Sequence, residues 1–140
     1  MKLAFYKAEH GNKLDTWLSW VTWGPYSHVE ILFSDGMWCS SSPRDSGVRY
    51  KTIDPLDHWD YRALDVTHKQ EQIVRDWCDT KIGLSYDWWG VYSFLIPFIP
   101  QKDNEWFCSE FCVVALQEIG IWPDINPSKS TPNRMWEYPL

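Results

Sequence analysis

The chain has no excess of positive charge, no long hydrophobic run and few cysteines, and each shortage closes off a class of function. Its 13 Lys and Arg stand against 19 Asp and Glu, intermixed rather than in blocks, for a net charge of −6. That balance argues against a phosphate-backbone ligand, so nucleic acid is not an expected partner. The most apolar segment, WWGVYSFLIPFIP, is interrupted by Pro97 and Pro100 and falls short of the ~20 residues a membrane-spanning helix needs. No integral membrane contact is expected. The stretch MKLAFYKAEHGNK loses its apolar pattern after Tyr6 and shows no small-residue cleavage pattern, so a protein that is cytoplasmic as synthesised, without a signal peptide, is expected. Cys39, Cys78, Cys108 and Cys112 lack the density of a secreted scaffold and read as reduced thiols. No repeat, low-complexity tract or linker divides the 140 residues, which suit one domain over 1–140.

What the chain has in abundance is aromatic surface, with 11 Trp, 7 Tyr and 6 Phe that must fill a core or line a groove. LAFYKA predicts a first strand, and NKLDTWLSWVTWG a helix stopped by Gly24 and Pro25. YSHVEILFSDGMWCSSS reads as a hairpin turning on the two residues Asp35 and Gly36. GVRYKTID and DYRALDV predict further strands, and SSSPRDSG a flexible hairpin extension rather than a phosphate loop, since it lacks the lysine and the following helix. Thr67 and Gln70 form a capping-box pair opening a helix to Gly83, with Ile73, Val74, Trp77 and Cys78 on its inner face. YDWWGVYSFLI suits a short helix, and WFCSEFCVVALQEIG a longer one stopped by Gly120. NPSKSTPNRMWEYPL reads as an irregular tail. The order predicts an α+β domain, a small antiparallel sheet packed against helices.

Cys108 stands where the last long helix begins. About half a positive charge and unpaired amide N–H groups gather at such a position, which favours a thiolate and an oxyanion on its substrate. Cys112, one turn deeper among Phe111, Val113 and Val114, reads as core. A cysteine nucleophile needs a base. Of His10, His28, His58 and His68, only His28 sits on a strand flanked by apolar residues that fix its direction. If Asp35 and Gly36 are the turn, Glu30 opposes Ser41 and His28 opposes Pro43, so that His28 and Glu30 share a face with Cys39 and Ser41. Glu30 and Ser41 are then both placed to orient the imidazole.

YSHVEILF, SSSPRDSGVRYK and WFCSEFCVVAL together resemble the permuted branch of the papain-like cysteine hydrolases of the NlpC type, in which the strand histidine precedes the cysteine. The likeness covers most of the chain; HWDYRAL and GLSYDWWG are similar to intervening segments, and the short architecture is similar to small hydrolases of bacteriophage genomes. The resemblance implies a circularly permuted papain-like fold, with Cys108 as nucleophile, His28 as base and the third polar residue at or near Ser41, where relatives often carry Glu, His or Gln. It implies amide hydrolysis by a thioester route on peptide or peptidoglycan stem-peptide substrates, with no cofactor or metal and with release by lysis or carriage in a virion. Trp38, Tyr26 and Ser109 are the candidate substrate contacts, and Trp17, Trp20, Trp23, Trp88 and Trp89 candidate groove walls.

Two other readings compete. A metal module would use Cys108, Cys112, Cys39 and a histidine, but a C-x-x-x-C without a second close pair is a weak signature. A non-enzymatic or acyl-transferring member of the same fold would bind a host protein or a lipid through its Trp-rich surface.

Overall fold

The structure, a computed structural model, describes residues 1–21, 24–54, 57–87 and 105–140. In chain order the elements are β1 (Lys2–Lys7), α1 (Lys13–Val21), β2 (Tyr26–Leu32), β3 (Trp38–Ser42), β4 (Gly47–Lys51), β5 (Trp59–Ala63), α2 (His68–Asp79), β6 (Ser85–Tyr86), β7 (Glu105–Trp106), α3 (Cys108–Gln117) and α4 (Pro132–Glu137). The strands form one sheet in the order β5-β1-β2-β3-β4-β6-β7, antiparallel except between β6 and β7. The expected α+β class is borne out, with a sheet larger than the small one expected: β6 and β7, of two residues each, are too short to leave a periodic signal. The helix expected over YDWWGVYSFLI lies outside the described residues.

The core follows from strand alternation. Leu3 and Phe5 of β1 stand opposite Ile31 and Val29 of β2, and all four are buried on the face that α3 covers with Phe111, Cys112 and Ala115. Each such side chain contributes about 1.5–3 kcal/mol by leaving water. On the other face Tyr6 stands opposite His28 and Trp59, Ala4 opposite Glu30, and Ser40 opposite Arg49. Polar and aromatic residues thus collect on one side of the sheet and aliphatic ones on the other.

The hairpin departs from expectation by one residue. Phe33 N–H bonds the Met37 carbonyl at 2.9 Å, and Gly36 at φ 86° completes a three-residue loop of Ser34, Asp35 and Gly36. A glycine is needed there because the left-handed region costs any residue with a Cβ. The register is therefore Ile31 to Cys39 and Leu32 to Trp38. A one-residue slip exchanges faces along a strand. Ser41 consequently shares a face with Cys39 and Val48, not with His28, and Ser40 takes the place expected of it.

Three smaller corrections follow from packing. Thr67 and Gln70 form the reciprocal capping box of α2, with bonds of 3.2 and 3.0 Å. The inner stripe, however, is Glu71, Val74 and Cys78, at i, i+3 and i+7, which turns Ile73 outward to 38% exposure. Glu71 tolerates burial because it accepts the Ser34 N–H at 2.7 Å and hydroxyl at 2.8 Å. The tail is not irregular: Thr131 caps α4 through the Arg134 N–H, and Met135 is buried in the core. SSSPRDSG is a tight link rather than an extension, a 3-10 turn over Pro43–Asp45 followed by Ser46 at φ 63°.

Candidate active site

Strand β2 is paired unequally on its two sides. Toward β1 it makes six registered pairs, and toward β3 only two. Beyond those two, side chains serve where a ladder would have been. Ser40 Oγ donates to the Val29 carbonyl at 2.8 Å, and Cys112 Sγ lies 3.8 Å from the same oxygen. The start of α3 is fastened to the other bank of this opening, where the Ser41 hydroxyl donates to the Trp106 carbonyl at 2.5 Å. Phe107, the N-cap residue of α3, carries no polar group to occupy the first amides of the helix.

Cys108 is the first residue of α3, and its sulfur lies beside the imidazole of His28, near enough to act on its charge. His28 Nε2 donates to Glu30 Oε1 at 3.0 Å. Cys108 is 4% exposed, His28 7% and Glu30 1%. Burial resists a charge on the imidazole, but the Cys108 sulfur and the Glu30 carboxylate beside it outweigh that resistance and raise its pKa from 6.5 to about 9. Burial likewise works against the Glu30 charge, and hydrogen bonds from His28 and Arg49 overcome it and hold the carboxyl below its ordinary range.

Arg49, on β4, explains how a carboxylate persists there. Nη1 donates to Glu30 Oε2 at 2.9 Å and Nη2 to Oε1 at 2.7 Å, while Nε donates to Asp45 Oδ2 at 2.7 Å. Asp45 also accepts from Lys51 Nζ at 3.0 Å. A second buried carboxylate, Asp15 of α1, stands on the other flank, accepting from Ser27 Oγ at 3.1 Å, the Asn12 N–H at 2.8 Å and the Arg44 guanidinium. Arg44 lies 5.4 Å over the ring of Tyr6. A cavity of ≈ 370 Å³ opens beside these groups, lined by His28, Glu30, Arg49, Arg44, Tyr6 and Trp59 among others. Trp59 stands edge-on to His28 at 6.4 Å and to Tyr6 at 5.0 Å.

The residues singled out in the sequence divide sharply. Cys108, His28 and Glu30 meet. Ser41 does not join them, because the three-residue loop turns it to the opposite face of β3. None of the expected substrate contacts lines the cavity beside His28. Trp38 is 2% exposed and packs on Trp59 at 4.9 Å. The Tyr26 hydroxyl donates to Asp60 at 2.9 Å, and its ring borders a separate cavity of ≈ 380 Å³ with Lys7. Ser109 is buried and donates to the Ser130 carbonyl at 2.8 Å. Trp20 is exposed, Trp17 partly buried, and Trp23, Trp88 and Trp89 lie outside the described residues. Cys112 is core as expected, its thiol pushed up by burial. Cys39 is a free thiol beside Cys78, whose sulfur pushes its pKa up ahead of burial, and it is not grouped with Cys108. Among the described residues no three metal-binding side chains gather.

Two neighbours went unread in the sequence. Arg49 was legible in principle, since strand alternation from the true register puts it on the face of His28 and Glu30. Tyr86, whose buried phenol is pushed far up by desolvation and then by Cys108, arrives on the two-residue β6 and had no signal. Among the described residues no helix is long and apolar enough to cross a membrane. Comparison of the chain with protein families, curated proteins and solved structures finds no match.

Proposed function

We propose that this protein is a cysteine hydrolase that cleaves amide bonds by a thioester route, with Cys108 as nucleophile, His28 as base and Glu30, in place of the expected Ser41, as the group that orients the imidazole. The observation that carries the reading is the helix-opening thiol set beside an imidazole that a buried carboxylate holds at 3.0 Å. A nucleophile beside a base, with the base held by an orienting group, is an arrangement that acyl transfer uses on unrelated folds. It is also what the resemblance to permuted papain-like hydrolases implies for Cys108 and His28.

With Nε2 committed to Glu30, the Nδ1 nitrogen is left to exchange a proton with sulfur. His28 takes the thiol proton, and the thiolate attacks the substrate carbonyl carbon. The resulting oxyanion is stabilised by N–H groups of the first turn of α3. Collapse breaks the C–N bond as the imidazolium gives its proton to the departing amine, leaving a thioester. A water molecule, deprotonated by His28, then attacks the thioester, and the carboxylic acid leaves as the thiol is restored. Peptidoglycan stem peptides are the substrate class the resemblance implies, and cell-wall cleavage is the role it suggests.

The test compares Cys108→Ala and His28→Ala with the wild type, following iodoacetamide labelling and release of peptides from purified peptidoglycan. Each variant is expected to lose about a thousand-fold or more in hydrolysis, and the double variant little beyond either single one. Undiminished hydrolysis in both would end the proposal. The 4% exposure of Cys108 favours a second reading, a non-hydrolytic protein of the same fold that binds a host protein or lipid. A Cys108 no more reactive than the fully buried Cys112 would select it.

A further inference from the structure

The polar residues behind His28 form an ordered series of alternating charge. From the surface inward run Lys51, Asp45, Arg49, Glu30 and His28, with links of 3.0, 2.7, 2.7 and 3.0 Å, and the series ends at the Cys108 thiol. Arg49 is its central member and, among the described residues, the only cation that touches Glu30 from a second element of the fold. It grips both carboxylate oxygens, and Nη1 also reaches the Ser40 carbonyl at 3.3 Å, so the guanidinium is fixed against β3 as well. A forked grip of this kind sets both the position and the plane of a carboxylate.

Resting on the hydrolase reading, we propose that Arg49 is a positioning residue for the reaction: it holds Glu30 ionised and in the plane that keeps His28 aimed at Cys108. Without the guanidinium, Glu30 would be a nearly sealed carboxylate whose remaining charged partner is the imidazole itself. Such a group takes up a proton or turns away, and either event loosens the ring. Outer partners of this type tune catalytic groups without touching the substrate.

The groups that bear on this cluster come from every element around it. Glu30 faces His28 on β2 and Arg49 on β4, with Cys39 of β3 and Cys112 of α3 within reach of its charge. Arg49 faces Glu30 and Asp45. His28 faces Glu30 and Cys108, and shares its cavity with Arg44, Lys51, Asp54 and His58. Removing one cation from this set makes every remaining group bind protons more tightly, which gives the test its sign.

The experiment measures second-order alkylation of Cys108 by iodoacetamide from about pH 5 to 10, located by peptide mapping, in the wild type, Arg49→Met and Arg49→Lys. Arg49→Met is expected to lower the plateau rate about ten-fold and to move the acid limb up by about one pH unit. Arg49→Lys, which keeps the charge and loses the fork, is expected to leave the limb in place with a plateau reduced about three-fold. A purely structural role would lower thermal stability without moving the limb. Wild-type rate and profile in Arg49→Met overturn the proposal; should that variant fail to fold, a wild-type plateau in Arg49→Lys overturns it. A wild-type Cys108 no more reactive than Cys112 overturns the hydrolase reading and this role together, whereas a reactive Cys108 indifferent to Arg49 overturns this role alone.

Discussion

The two flanks of β2 are built from the same strand and do different work. Toward β1 the ladder runs unbroken from Leu32 to His28 with a shift beside Tyr6, and the residues it aligns are Leu3, Phe5, Val29 and Ile31, all fully buried. Toward β3 the ladder stops after two pairs, and the backbone carbonyl of Val29 turns to Ser40 and Cys112 for partners. Where main chain satisfies main chain, side chains are free to pack. Where pairing stops, polar side chains have to take over, and the opening this leaves is where a helix start can approach the strand. His28 and Glu30 point from that strand toward the face where the polar residues gather.

Substitutions on the two flanks should separate stability from reactivity. On the closed flank, Phe5→Ala removes a ring packed against Tyr26 at 5.5 Å and Trp136 at 5.2 Å. It should cost about 3–5 kcal/mol in chemical denaturation, a large share of the roughly 5–15 kcal/mol typical of a domain. The alkylation rate of Cys108 in the folded fraction should stay as it is. A slow but fully stable Phe5→Ala protein would erase the distinction between the flanks.

The open flank should report through pH. Because His28 titrates at about 9 in the fold against 6.5 in an unfolded chain, its contribution to stability is complete below about pH 6.5 and is lost as pH rises through about 9. Denaturation midpoints measured across that window should fall in the wild type and fall less in His28→Asn. Equal slopes in the two proteins would mean the imidazole gains nothing from Glu30 and Cys108. The smallest effect belongs to the strut across the opening: Ser40→Ala should cost about 1 kcal/mol by leaving the Val29 carbonyl with only the Cys112 thiol. A loss above about 3 kcal/mol would show that this one hydroxyl, rather than α3, holds the banks together.

Much of this organisation was legible from residue pattern. Thr67 with Gln70 announced α2, the run from Phe107 announced α3 with Cys108 at its start, and alternation in YSHVEILF put His28 and Glu30 on one face. The register failures share a cause in local backbone geometry. Asp35-Gly36 suits a two-residue turn by composition, yet Ser34 joins the loop and the register moves by one, which exchanged Ser41 for Ser40 and hid Arg49. Such a choice rests on twist and on what each face must bury, and Cys39 and Tyr50 are apolar enough to fix it only once α2 and α3 are in place. Trp38, Tyr26 and Ser109 were singled out by chemical type. Each has an assigned structural partner instead, and residue type alone does not reveal that.

The meeting of Cys112 with the Val29 carbonyl joins positions 83 residues apart, and the histidine strand is made long before the helix that completes it. Contacts of such long range form late in folding, after the cost of closing the intervening loop has been met. During synthesis the hairpin bearing His28 emerges well before the helix bearing Cys108. Order is thereby written into the connectivity: a ribosome-bound or prematurely ended polypeptide carries His28 and Glu30 without Cys108, and the three come together only when the second half of the chain closes over the first.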